Sequence, residues 1–157
     1  MSSRLKSIIA RLYHPLQRSR QVIAVSRHEA EHLPPLSSLA VISITAPDRP
    51  PANLPRIPQV LRLSFADVDF ERHDLSERAQ QKLPQAFQHE QAIAIHTFVQ
   101  ELPAEIASIV VHCEGGFSRS SAIALGLADH YGYQVWVKDE SSTNRSVLRR
   151  LLEHGAT

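Results

Sequence analysis

The chain has 157 residues, 43% of them hydrophobic and 21% charged, with a formal net charge of +1. That length suits one domain with a sizeable core, and the composition excludes an intrinsically disordered chain. The near-neutral charge gives no global field toward nucleic acid or a membrane surface, the single cysteine excludes an internal disulfide framework, and no apolar run reaches the roughly 20 residues of a membrane span.

Residues 1–21 carry Arg4, Lys6, Arg11, Arg18 and Arg20 and no acid, with Leu5, Ile8, Ile9 and Leu12 at helical spacing. They read as a basic N-terminal helix or tail ahead of a single domain over 22–157. The simplest place for such a helix is against that domain, and the alternative is a membrane surface. The first residues lack the apolar core and small-residue cleavage site of a signal peptide, and a lone cysteine fits a reducing compartment, so a cytoplasmic location is expected.

Residues 22–26 (VIAVS) form a short β-branched run that predicts a strand. One or two helical turns follow over 28–32, stopped by Pro34 and Pro35. Residues 39–45 (LAVISIT) predict a buried strand, and Pro47, Pro50, Pro51, Pro55 and Pro58 make the next stretch a loop. A third strand is expected over 60–65. The polar, acidic stretch 66–82, with Asp67, Asp69, Glu71, Asp74 and Glu77, reads as a long surface loop holding at most a helical turn. The spacing of Phe87, Ile95, Phe98, Val99 and Leu102 predicts a helix over 84–102, closed by Pro103. A fourth strand is expected over 107–111 and a buried Ala- and Leu-rich helix from 118 to about 131, ended by Gly132. Residues 135–137 are apolar without a clear type. Thr143 or Asn144 caps a last helix with Val147, Leu148, Leu151 and Leu152 facing inward.

Strands alternate with helices, and the most apolar strands have no polar face. The expected fold is therefore α/β, with a mostly parallel central sheet of about four to five strands flanked by helices. In such sheets the ligand site lies beyond the carboxyl ends of the strands. Three segments reach that edge: the turn after residue 112, the proline-rich loop after Thr45 and the acidic loop after Phe65.

The stretch 109–121 reads IVVHCEGGFSRSS. An apolar strand ends in His112 and Cys113, a turn containing Gly115 and Gly116 follows, and Arg119 and Ser120 open the next helix. Such a turn presents backbone N–H groups and the positive end of a helix to one spot, where a cysteine can act as a thiolate. An arginine at its far end can grip an oxyanion through two parallel hydrogen bonds. On the residues alone, Cys113 is a candidate nucleophile. Glu114, Gly115, Gly116, Phe117, Ser118 and Arg119 would offer N–H groups to three phosphate oxygens, and Ser120 is placed to hydrogen-bond the thiolate and help it leave.

The pattern H-C-x-x-G-x-x-R-S resembles the signature of the cysteine-dependent protein tyrosine phosphatase superfamily, closest in size to its compact, dual-specificity-like bacterial members. The resemblance implies a tyrosine-phosphatase-like fold and hydrolysis of phosphate monoesters, protein phosphotyrosine foremost, through a phosphocysteine on Cys113. It implies that His112 holds the loop and favours the thiolate. It also implies an aspartic acid on a movable loop that protonates the leaving oxygen. Asp67, just past the third strand, is the first choice, Asp69 the second and Asp74 a third. The implied partners are a phosphoprotein or a small aryl phosphate, with no cofactor and no nucleic acid.

Blander readings stand beside these. A lone cysteine is commonly a small buried hydrophobe, and Asp67 in an acidic loop a solvated turn former. His28 and His32 are spaced as helical neighbours but have no third metal ligand by spacing. Asn144 and Arg145 read as a cap and a surface charge, although a helix start near the site would bring Asn144 close to a catalytic water. The rival function is a catalytically weak module that binds phosphate-bearing partners through the same turn. Glu114 at the rim disfavours highly anionic headgroups and tilts the substrate toward aryl phosphates or phosphopeptides.

Overall fold

The computed structural model describes residues 1–15 and 19–155; Arg18, among the basic residues of the N-terminal segment, lies outside them. Five strands, β1 Gln21–Val25, β2 Leu39–Thr45, β3 Gln59–Ser64, β4 Ser108–His112 and β5 Gln134–Trp136, pair in parallel in the order β3-β2-β4-β1-β5. The helices are α1 Ser3–Tyr13, α2 Arg27–Ala30, α3 Glu77–Gln81, α4 His89–Gln100, α5 Arg119–Tyr131 and α6 Arg145–Glu153. The fold is α/β with an all-parallel sheet flanked by helices. Among the described residues no helix is long and apolar enough to cross a membrane.

The two sheet faces follow from the period of two along each strand. Val22, Ala24, Ala40, Ile42, Ile44, Ile109 and Val111 pack with Ile95 and Val99 of α4, Ile123 and Leu127 of α5, and Val147 and Leu151 of α6. Ile23, Val25, Leu39, Val41 and Val110 face the other way, toward Ile8 and Leu12 of α1 and Ala30 of α2. All residues of β1, β2 and β4 are buried, which explains their unbroken apolar runs. Burying one such side chain contributes about 1.5–3 kcal/mol. Helix α1 docks on the sheet through Ile8 and Leu12, with Leu5 also buried, and Gln21 already belongs to β1.

The helix expected over 84–102 is shorter and preceded by a separate turn. Leu83–Gln85 forms a 3-10 turn with Pro84 in its first positions, Ala86 is extended, and α4 starts after Gln88. Pro84 suits the opening of a turn but does not have to open the helix that follows. The α4 start is set by Gln91, whose Oε1 accepts the Gln88 N–H at 2.8 Å. Phe87 stays outside the helix and is buried against Phe65, ring centroids 4.8 Å apart. The acidic stretch holds α3, capped by Ser76 and without a buried residue. The apolar run around Val135 is the edge strand β5, paired to β1.

Candidate functional site

β4 lies at the middle of the sheet, and its last residue hands the chain to Cys113 and the turn 114–118. Cys113 is 2% exposed. Its Sγ accepts the N–H of Gly116 at 3.3 Å and lies 3.2 Å from Ser120 Oγ. Gly116 has φ +85°, and a Cβ there would lie 2.5 Å from Ser26 N and 2.6 Å from the Val25 carbonyl carbon. Only glycine lets the turn curl this way against the end of β1. Among the described residues, no acceptor takes the N–H of Glu114, Gly115, Phe117 or Ser118. These free donors sit directly before the amino end of α5, where the helix dipole adds positive potential.

Arg119 opens α5 and is 6% exposed. One guanidinium nitrogen donates to the Phe65 carbonyl at 2.9 Å, while Nε is buried with no partner. A buried donor left unpaired costs about 1–3 kcal/mol unless a ligand or water meets it. His112 is buried, with Nε2 2.6 Å from Ser43 Oγ and Nδ1 3.1 Å from the Cys113 carbonyl. It clamps the strand end to β2 on one side and to the turn on the other.

Of the three candidate acids, Asp67 reaches the turn: its Oδ1 accepts from Ser118 Oγ at 2.9 Å. Asp69 instead accepts the Glu71 N–H at 3.1 Å, and the exposed Asp74 pairs with Arg72 at 2.8 Å. The same Oδ1 of Asp67 accepts from Asn144 Nδ2 at 3.0 Å. Asn144 is buried and caps α6, its own Oδ1 accepting from Val147 N at 3.2 Å. The cap is readable from the sequence, and the contact with Asp67 is not. Arg145 is exposed.

No family model, no curated protein and no solved structure matches the chain.

The segment after β3, expected to be a movable surface loop, is anchored at its start. Phe65, Ala66 and Val68 are buried. Ala66 N donates to Gln85 O at 2.7 Å, Val68 O accepts from Asn144 Nδ2 at 3.1 Å, and Phe70 N donates to Ser146 Oγ at 3.2 Å. The rim also differs from expectation. Glu114 does not stand as an isolated negative charge, because Arg49 lies 3.0 Å and Arg27 3.8 Å from its carboxylate. Arg27 also donates to the carbonyls of Pro50 and Pro51, and its backbone N–H to Glu114 O, which ties the proline-rich loop to the turn. Phe117 is exposed, with its ring over Gly115.

His28 and His32 are ring neighbours at 4.5 Å, and among the described residues no group of three His, Cys, Asp or Glu is placed to hold a metal ion. What the turn offers chemically is a buried sulfur, a set of unpaired backbone donors, a buried guanidinium with a free N–H and a carboxyl group bound to its rim. That set suits a tetrahedral oxyanion attacked by sulfur.

Proposed function

We propose that the chain is a cysteine-dependent phosphomonoesterase, a cytoplasmic relative of the protein tyrosine phosphatases acting on protein phosphotyrosine, with dual specificity toward phosphoserine and phosphothreonine as its extension. The observation that carries the reading is Arg119, buried with an unpartnered Nε at the end of a turn that follows Cys113 and in which the N–H groups of Glu114, Gly115, Phe117 and Ser118 are free.

In this reading the Cys113 thiolate attacks phosphorus, and the S–P bond forms as the bond to the leaving oxygen breaks. The free N–H groups of the turn and the Arg119 guanidinium hold the non-bridging oxygens as charge shifts onto them. Protonated Asp67 gives its proton to the leaving phenolic oxygen and becomes a carboxylate. Water then attacks phosphorus, Asp67 takes its proton back, and the thiolate departs toward Ser120. Phe117 at the rim offers an aromatic surface to an aryl ring.

The test is turnover of p-nitrophenyl phosphate and a phosphotyrosine peptide by the purified chain and by Cys113→Ser. Wild type is expected to turn over both, and the variant to lose at least about 10³-fold. Equal rates for the two proteins overturn the reading. A wild type that binds orthophosphate without any turnover is the binding module instead.

A further inference from the structure

Both hydrogen bonds to the Asp67 carboxyl land on one oxygen. Ser118 Oγ and Asn144 Nδ2 meet at Oδ1, at 2.9 and 3.0 Å. The orientation of the Asn144 amide follows from its partners: its oxygen accepts from Val147 N and Ser146 Oγ, so the NH₂ group faces Asp67 and the Val68 carbonyl. An amide NH₂ only donates. Two donors converging on Oδ1 keep that oxygen an acceptor, which leaves Oδ2 to carry a proton.

Asn144 is itself immobilised. It is 6% exposed, it caps α6, and α6 packs through Val147 and Leu151 into the main core. The Asp67 segment is thus referenced to a helix whose buried face belongs to the core, over a sequence separation of 77 residues.

We propose that Asn144 is the positioning residue of the acid: its carboxamide, fixed by the start of α6, holds Asp67 with Oδ1 as acceptor and Oδ2 as the site of the transferred proton. This inference rests on the phosphomonoesterase reading above. In the step concerned, the S–P bond forms, the P–O bond to the leaving group breaks, and the Oδ2 proton passes to the leaving oxygen, so Asp67 ends as a carboxylate. The positioning matters in proportion to how much the leaving oxygen needs a proton. Phenolate, basic like the tyrosine side chain, needs one; p-nitrophenolate departs far more readily without it.

The experiment compares kcat/KM for phenyl phosphate and p-nitrophenyl phosphate in wild type, Asn144→Ser, Asn144→Thr, Asp67→Asn and the double variant D67N/N144S. Serine and threonine are both helix N-caps but too short to reach Asp67, and having two variants guards against one that fails to fold. Each is expected to lose at least about tenfold more on phenyl phosphate than on p-nitrophenyl phosphate, the size of one lost hydrogen bond to a carboxyl group. In the Asp67→Asn background the Asn144 substitution should cost nothing further on either substrate. Equal losses on both substrates, or an undiminished loss without Asp67, would make Asn144 a structural cap and overturn the inference alone. A wild type whose turnover does not depend on Cys113 overturns this inference together with the reading beneath it.

Discussion

His112 makes complementary use of its two ring nitrogens. The Cys113 carbonyl can only accept, so Nδ1 carries the proton and Nε2 accepts from the Ser43 hydroxyl. His96 is likewise satisfied as a neutral ring, with Nε2 donating to the Leu151 carbonyl at 2.8 Å and Nδ1 taking the Tyr131 hydroxyl at 2.7 Å. Burial pushes both pKa values below the ordinary histidine value, against the upward pull of those carbonyls. Between the lowered folded values and about 6.5 the unfolded chain binds more protons than the folded one. Stability from these groups is therefore complete above about pH 6.5 and is lost as pH falls below it, at no more than about 1.4 kcal/mol per pH unit for each ring. The urea midpoint should drop between pH 7 and 5, and less steeply in His96→Gln; an unchanged slope in that variant would remove His96 as a contributor. That Cys113, Arg119 and Ser120 gather at one turn was legible in the sequence because they lie within eight residues of one another. The bond from Asn144 to Asp67 was not, since nothing local marks a partner 77 residues away. The arginines beside Glu114 were hidden for the same reason: Arg27 and Arg49 reach it from elsewhere in the chain.

At the level of elements, the turn 114–118 is built against the end of β1 and the start of α2. Ser26 caps α2 through a reciprocal pair, its Oγ accepting the Glu29 N–H at 3.1 Å and its own N–H reaching Glu29 Oε1 at 2.8 Å. Gly116 rests on that same Ser26 backbone. Gly116→Ala would need both a left-handed residue, costing about 1–2 kcal/mol, and a displacement of the β1–α2 junction. It should lower the urea midpoint clearly. Gly115→Ala meets only the rotatable Phe117 ring, 2.8 Å from the added Cβ, and should stay within about 0.5 kcal/mol of wild type. Equal destabilisation by the two would mean that the turn yields at Gly116 as easily as the ring does. The boundaries of β2 were readable because a buried parallel strand is an uninterrupted apolar run. The start of α4 was not, because Pro84 and the stripe from Phe87 describe a turn and a helix that share one apolar surface. β5 was ambiguous because an edge strand of Gln134–Trp136 buries too little to show a period.

Across the whole molecule, one sheet face depends heavily on the N-terminal helix. Leu5, Ile8 and Leu12 are each no more than 3% exposed. The helix is fastened at both ends, by Arg4 donating to the Ala24 carbonyl at 3.0 Å and by Gln21 Nε2 reaching the Arg11 carbonyl at 2.9 Å. Ile8→Ala should cost about 2–4 kcal/mol in the urea denaturation of the full chain; a change under about 0.5 kcal/mol would show that α1 lies outside the cooperative unit. The strand order β3-β2-β4-β1-β5 has a further consequence, for the order in which the molecule can be made. β1 and β2 are synthesised before β4, yet neither pairs with the other; both pair with β4. Gln21 meets Ser108, 87 positions later, so the apolar residues of β1 wait for the synthesis of 87 further residues before β4 shelters them. A chain of such long-range parallel pairings folds slowly and keeps sticky segments exposed meanwhile. The strand that delivers Cys113 is thus also the one that closes the centre of the sheet, and a nascent chain cut short before β4 holds neither the thiol nor a completed fold.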